Sequence, residues 1–122
     1  MQPLPVVLLQ SDPRTVESLV ASLYKSFRSV RETPSVSELR SYLQEHPKGI
    51  VIMDMEIAST FDVEHLSHDF PEARIICNHR LADEEIWTAT LSAGAADCCT
   101  SQDTCGILRA ALRDEAAARM AA

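Results

Sequence analysis

The chain has 122 residues, of which 46% are hydrophobic, and a formal net charge of −7. A chain of this length buries roughly two-thirds of its unfolded surface, so the sequence predicts a single domain over residues 1–122. An acidic excess repels the phosphate backbone of nucleic acids, and no cluster of Lys and Arg offsets it. We therefore expect no direct binding to DNA or RNA.

The amino terminus lacks the basic flank, apolar core and cleavage site of a signal peptide. No apolar segment of the sequence approaches the length needed to span a membrane. We therefore expect a cytoplasmic protein that makes no contact with a membrane.

Five short runs of the sequence predict β-strands. They cover residues 6–10, 29–32, 50–54, 74–78 and 97–99. The first, third and fourth runs are apolar almost throughout, as expected for strands covered on both faces. Because helical runs alternate with these strands, the pattern predicts an α/β fold with right-handed crossovers onto a parallel sheet.

The run after the first strand predicts the first helix. Asp12 is expected to cap its amino end, and Pro13 suits the first turn. Apolar residues then recur with helical period and predict one buried stripe: Val16, Leu19, Val20, Leu23 and Phe27.

Four further helices are predicted. Ser35 and Glu38 have the spacing of a capping box that opens the second helix, which ends before Pro47. The third is expected over residues 62–70, and the fourth runs from Asp83 to Gly94 with acids in its first turn. The fifth starts at Asp103 and fades into alanines. The side chains expected to face inward are Val36, Leu39, Leu43, Val63, Leu66, Phe70, Ile107, Leu108, Ala111 and Leu112.

Four stretches carry a family resemblance. They are residues 8–13, which end in Asp12-Pro13, residues 50–54, which end in Asp54, residues 83–85, and the Ala-Gly-Ala motif within residues 93–97. In these stretches the chain resembles the receiver domain of bacterial two-component response regulators. The resemblance implies a doubly wound, flavodoxin-like (βα)5 fold whose five parallel strands have the order 2-1-3-4-5.

Receivers use five groups for phosphoryl transfer. Two acids after the first strand hold Mg²⁺, an aspartate after the third accepts the phosphoryl group, a Thr or Ser after the fourth bonds the phosphate, and a Lys after the fifth neutralises charge. The resemblance puts these groups at Gln10, Ser11, Asp54, Asn78 and Ser101, and puts the aromatic switch residue at Cys98. Only Asp54 is of the expected type.

Neutral side chains at these positions predict a pseudo-receiver. Without acids or lysine the site lacks the charge stabilisation that phosphoryl transfer requires, so we expect no enzymatic turnover, no cofactor and no Mg²⁺. The function expected is a phosphorylation-independent interaction module in bacterial signalling or transcription control. Its partner would be another protein or a second copy of this chain. The resemblance implies an interaction surface on helix 4, strand 5 and helix 5, with Glu84, Glu85, Trp87, Arg109 and Arg113.

Two alternative functions stay open. One is a receiver that is still phosphorylated at Asp54 in a phosphorelay, and a shift of the first strand by one residue would bring Asp12 into the acid pair. The other is a thiol or small-ligand sensor, because Cys77 is expected to lie beside the fifth strand. Ordinary burial explains these cysteines equally well, since free cysteine is among the most buried residue types.

Trp87 is the only tryptophan of the chain. Its position on the fourth helix aligns with the inward face, so packing in the core is the default expectation. An exposed position, where the ring could anchor a partner, is the alternative.

Overall fold

A computed structural model describes residues 4–113 of the chain. Strands and helices alternate along it. The strands are β1 (Val6–Leu9), β2 (Val30–Glu32), β3 (Ile50–Asp54), β4 (Arg74–His79) and β5 (Asp97–Thr100). The helices are α1 (Pro13–Leu23), α2 (Val36–Glu45), α3 (Thr60–Asp69), α4 (Glu84–Ala93) and α5 (Thr104–Leu112).

The strands form one parallel sheet in the order β2-β1-β3-β4-β5. This confirms the predicted α/β class and the strand order 2-1-3-4-5. The central strands pair in register, with Leu8 beside Ile52 and Ile52 beside Ile76. β1 and β3 are buried along their whole length, because helices cover the sheet on both faces.

Two apolar layers hold the helices to the sheet. On one face, α2, α3 and α4 pack over a cluster that includes Leu43, Met53 and Leu66. On the other face, α1 and α5 pack over a cluster that includes Leu19 and Ile107. The helices leave the carboxyl edge of the sheet, where the strands end, uncovered by regular structure. No helix between residues 4 and 113 is long and apolar enough to cross a membrane.

The first helix starts as predicted and ends earlier. Asp12 caps it by accepting a hydrogen bond from the Arg14 N–H, and Pro13 is its first residue. The helix stops at Leu23, although the apolar stripe continues to Phe27. Phe27 is fully buried beyond the helix end, where its N–H donates to the Leu23 carbonyl. The predicted helical stripe was therefore too long, because Phe27 is buried without being part of the helix.

The capping box lies on α3 and not on α2. Ser59 and Asp62 each accept a hydrogen bond from the other's backbone N–H, so α3 starts at Thr60, two residues before the predicted start. At α2, Ser35 accepts from the Glu38 N–H at 3.2 Å. Among residues 4–113, Glu38 makes no return bond to Ser35. The prediction of a complete box at α2 is therefore wrong.

Two side chains predicted to be buried are exposed. Trp87 is 46% exposed, because Ile86 and Thr90 take the inward positions of α4. At about 100° per residue, the next position after Ile86 turns away from the sheet. Leu112, the last residue of α5, is also exposed, and Ala110 and Ala111 pack inward instead. The alanines expected to follow lie outside the described residues.

Candidate functional site

The candidate site lies at the carboxyl edge of the sheet, where ligands of such folds bind. The residues predicted for the receiver groups meet there. They are Gln10, Ser11, Asp54, Asn78 and Ser101, and hydrogen bonds join them into two groups.

Asp54 is held by three hydrogen-bond donors. Its Oδ2 accepts from the Ser11 N–H at 3.0 Å and from the Ser11 Oγ–H at 2.6 Å. Its Oδ1 accepts from the Glu56 N–H at 2.9 Å. The carboxylate is only 2% exposed. Donors of this kind satisfy a buried carboxylate without a cation, since hydrogen bonds to charged groups contribute about 1.5–3 kcal/mol each.

A second, neutral network joins the remaining positions. Gln10 Nε2 donates to Asn78 Oδ1 at 2.7 Å, and Asn78 Nδ2 donates back to Gln10 Oε1 at 3.0 Å. Asn78 Nδ2 also donates to Ser101 Oγ at 2.9 Å, and Gln10 Nε2 reaches the Ile52 carbonyl. Across residues 4–113, no buried side-chain nitrogen or oxygen lacks a partner. The network is therefore closed without an external ligand.

The donor atoms at this edge do not fit Mg²⁺. Mg²⁺ sites in proteins use carboxylates together with water or phosphate oxygens. Glu56 is the nearest acid along the chain from Asp54, but its Oε1 lies 2.7 Å from Nε of Arg80. Asp12, the alternative acid, caps α1 and faces Arg14. Within the described part of the chain, no three His, Cys, Asp or Glu residues are arranged to hold a metal ion.

The Glu56–Arg80 pair was not predicted. Glu56 follows β3 by two residues and Arg80 follows β4 directly, so the pair joins the two loops that flank the site. The register of β3 and β4, in which Asp54 lies beside Asn78, could have indicated it. Arg80 is mostly exposed and brings a cation to the rim, although its charge is already compensated.

His79 faces away from the polar network. Successive residues of a strand point to opposite sides of the sheet, so His79 lies on the α3 and α4 side whereas Asn78 lies on the other. Its Nδ1 accepts a hydrogen bond from the Leu81 N–H at 3.0 Å. The imidazole lines a groove between α3 and α4.

The cysteines lie on β4, β5 and α5. Cys77 and Cys98 are direct neighbours in register, which confirms that Cys77 lies beside the fifth strand. Burial raises the pKa of the Cys77 thiol to about 12, and burial also raises the pKa of Cys98 and, to about 11, that of Cys99. Cys105 is exposed. The three strand thiols are thus kept protonated, a state that reacts poorly with electrophiles.

The two acids and the tryptophan predicted for an interaction surface lie on two faces of α4. Glu84 and Trp87 are three residues apart and share one face, while Glu85 shares a face with Ala89, which lines the α3–α4 groove. β5 forms the edge of the sheet. We use the name β5-edge surface for four exposed residues: Glu84 and Trp87 on α4, Arg109 on α5, and Arg113, which caps the carboxyl end of α5.

Similarity to known proteins is confined to structure. No family model and no curated protein matches the sequence. A response regulator from Thermotoga maritima is similar with a TM-score of 0.79 and 17% identity, over 88% of this chain and 93% of that one. The receiver domain of the putative response regulator NarL from Mycobacterium tuberculosis has a TM-score of 0.77 and 18% identity, over 98% of both chains.

A CheY-like protein, TadZ from Pseudomonas aeruginosa PAO1, is also similar, with a TM-score of 0.72 and 21% identity over 93% of this chain and 97% of that one. The chain has the fold of response-regulator receiver domains. At 17–21% identity these structures establish the receiver fold alone. The chemistry of this chain has to be argued from its own residues.

Proposed function

We propose that the chain is a pseudo-receiver, a receiver-fold module that binds a protein partner in signalling and does so without phosphorylation, Mg²⁺ or enzymatic turnover. The closed neutral network of Gln10, Asn78 and Ser101 carries the proposal. These positions would hold an acid, a hydroxyl and a lysine in a phosphorylated receiver. Here they satisfy one another.

Electrostatics argues against phosphoryl transfer to Asp54. A phosphoryl donor is an anion, and it approaches a carboxylate only where cations offset the repulsion. Both oxygens of Asp54 accept hydrogen bonds, and the nearby Arg80 is paired with Glu56. Among residues 4–113, the Asp54 carboxylate forms no ion pair with Lys or Arg, so the chain's own side chains leave the repulsion uncompensated.

The β5-edge surface has the features of a protein interface. Tryptophan is enriched among residues that dominate binding energy, and Trp87 is half exposed beside an edge strand. Glu84 on one helix and Arg109 and Arg113 on the other supply charges of both signs, which favours selective pairing by charge complementarity. A two-fold dimer could bring such opposite charges together, so the partner is another protein or a second copy of the chain.

A second candidate function is phosphorylation at Asp54. The observation that favours it is the position of Asp54 at the end of β3 in a receiver fold. Among the structures similar to this chain is a BeF3-activated DrrB receiver domain, with a TM-score of 0.73 and 15% identity. The two candidates differ in one measurable step, the formation of an acyl phosphate.

Intact-protein mass spectrometry after incubation with acetyl phosphate and Mg²⁺ separates them. We expect no added phosphoryl group on the parent or on Asp54→Asn, because the carboxylate lacks charge compensation. One added phosphoryl group on the parent that is absent from Asp54→Asn would establish the second candidate.

The interaction surface is tested with a pair of exposed aromatics. We expect Trp87→Ala to weaken self-association in sedimentation equilibrium, or capture of a partner encoded by a neighbouring gene, by about tenfold or more, as truncation of a central interface residue does. Tyr24→Ala on α1 removes another exposed aromatic and serves as the control. Equal weakening by both substitutions would place the interface outside the β5-edge surface.

A further inference from the structure

A groove of about 240 Å³ opens between α3 and α4. Short side chains form much of its wall, and His79 also lines it. The lining residues used below are Met55, Ala58, Thr60, His79, Ile86 and Ala89. The groove lies on the opposite face of the sheet from Asn78 and Gln10, so it is separate from the site described above.

The shape of the groove follows from how α3 and α4 pack. At their carboxyl ends the helices meet at Gly94, whose φ of 119° favours glycine. A Cβ at Gly94 would lie only 2.4 Å from Ser67 Oγ, so the close approach requires glycine there. Farther from these ends, Thr60 and Ala89 line the space between the helices with short side chains. The groove is the space that these short side chains leave open.

Three large, exposed apolar side chains lie within two residues of lining residues in the sequence. Phe61 is 70% exposed and follows Thr60, Leu81 is 71% exposed and lies two residues after His79, and Ile57 is 49% exposed and precedes Ala58. Single exposed apolar residues are common on protein surfaces, but neighbouring ones around a concave apolar surface mark binding sites.

Helical periodicity puts acidic side chains on the same faces of α3 and α4 as lining residues of the groove. On α3, Glu64 is four residues after Thr60 and three before Ser67, so it lies on the side that faces α4. On α4, Glu85 is one turn before Ala89. Both are exposed, and within residues 4–113 neither forms an ion pair. The closest cation along the chain, Arg80, is paired with Glu56.

We propose that this groove binds a basic amphipathic segment of a partner protein. One apolar side chain of the segment enters between Thr60 and Ala89, and its Lys or Arg side chains pair with Glu64 and Glu85. Binding of an amphipathic helix in an apolar groove is a recurring mode of peptide recognition. Here the acidic walls specify the charge of the partner.

Other occupants fit less well. Sites for drug-sized ligands have about 300–1,000 Å³, which exceeds this groove. A second copy of the chain, with its net charge of −7, would bring further negative charge to the acidic walls. Nucleic acid is repelled for the same reason. The proposal concerns a different face from the β5-edge surface, and either can fail without the other.

The test is a titration of the ¹⁵N-labelled chain, followed by NMR, with a synthetic Leu/Lys amphipathic peptide of about 15 residues, long enough to form a helix on binding. A Leu/Glu peptide of the same pattern is the control. We expect saturable shifts at Ala58, Thr60 and Ala89 with the basic peptide alone. Saturable shifts with both peptides would contradict the role of the acidic walls, and shifts confined to other faces would contradict the site.

Two matched pairs of variants locate the binding. Glu64→Lys/Glu85→Lys should weaken peptide binding about tenfold, since each reversal turns an attraction into a repulsion. Glu17→Lys/Glu45→Lys, on exposed positions of α1 and α2, gives the same change in net charge and should weaken it less than about threefold. Equal effects of the two pairs would mean that the peptide senses net charge only.

The second pair tests the groove by filling it. Ala89→Phe should abolish the shifts at Ala58 and Thr60, whereas Thr88→Phe adds the same ring at an exposed neighbouring position and should not. Thermal melting shows whether both variants fold. Undiminished peptide binding by folded Ala89→Phe would overturn the proposal, as would a concentration-dependent dimer of the parent that Ala89→Phe dissociates.

Discussion

The carboxyl edge of the sheet and the outer surface of α4 differ in whether their polar groups are paired within the chain. At the carboxyl edge, Asp54, Asn78 and Gln10 are buried and each forms hydrogen bonds within the chain. On α4, the carboxylates of Glu84 and Glu85 form no ion pair with any residue from 4 to 113, and Trp87 is half exposed. One region is internally satisfied and the other is open to a partner.

This difference indicates which of the two regions can gain free energy by binding another molecule. A buried network that is already satisfied gains nothing from a ligand unless its hydrogen bonds are first broken. An exposed aromatic beside unpaired charges gains contacts on association without such a loss. In this chain the carboxyl edge therefore offers less binding free energy than the exposed surface of α4.

The largest effect is expected from Asn78→Leu. Asn78 is fully buried and donates to Gln10 Oε1 and Ser101 Oγ, and leucine of similar size leaves both oxygens without that donor. Each orphaned group costs about 1–3 kcal/mol, so urea denaturation should show a loss of about 2–6 kcal/mol. Thr88→Leu on exposed α4 is the control and should change stability by less than about 0.5 kcal/mol. A loss below about 1 kcal/mol for Asn78→Leu would contradict a structural role for the network.

Alkaline pH should destabilise the chain through its strand thiols. The pKa of Cys77 rises from 9.0 to about 12 in the folded state, so between these values the unfolded chain loses a proton that the folded chain keeps. The stabilisation is complete below pH 9 and is lost as pH rises, at about 1.4 kcal/mol per pH unit for each such thiol. The free energy of unfolding, measured by urea denaturation at pH 8 to 11, should fall less steeply with pH for Cys77→Ala than for the parent.

Thiol labelling at pH 8 distinguishes this behaviour from a redox sensor. We expect Cys105 to react quickly and Cys77 to resist alkylation in the native state, because only the thiolate is the nucleophile. Rapid labelling of Cys77, or reversible formation of a Cys77–Cys98 disulfide, would support the thiol sensor.

Sequence patterns predicted the sheet well and the α4 surface less well. The apolar runs of β1, β3 and β4 identify strands covered on both faces, so the strand order follows once helices alternate with them. Ser11 and Asn78 were predicted at the strand ends. The hydrogen bonds of Ser11 with Asp54 and of Asn78 with Gln10 were not, because they depend on register between strands that are distant in the sequence.

Trp87 and α3 show why the remaining predictions failed. On the short helix α4, the successive apolar residues Ile86 and Trp87 are consistent with two different inward faces. The correct face includes Thr90, which is buried although it is polar. At α3, the Ser59 and Asp62 box was overlooked because aspartate replaces the usual Glu at its third position. Packing determines whether an apolar residue is exposed and which residue caps a helix. The periodicity of the sequence does not show that packing.

Magnesium provides a gain-of-function experiment on the carboxyl edge. We expect Mg²⁺ to leave the melting temperature of the parent unchanged, since no group of three His, Cys, Asp or Glu residues within 4–113 could hold a metal ion with Asp54. Ser11→Asp places a carboxylate where the Ser11 hydroxyl now donates to Asp54, so repulsion should destabilise this variant without metal. Mg²⁺ at ten times its dissociation constant should then restore about 1.4 kcal/mol. A saturable Mg²⁺ effect on the parent that depends on Asp54 would contradict the prediction.

A small effect on stability is expected from Trp87→Ala. Leu66 on α3 is fully buried, and its replacement by alanine should lower the free energy of unfolding by about 2–5 kcal/mol, because it leaves a cavity. Trp87 is larger, but nearly half of its surface already faces water, so we expect a loss below about 1 kcal/mol. Acrylamide should also quench its fluorescence efficiently in the native state. A loss comparable to that of Leu66→Ala would mean that Trp87 is a core residue, and the β5-edge surface would then lack its proposed anchor.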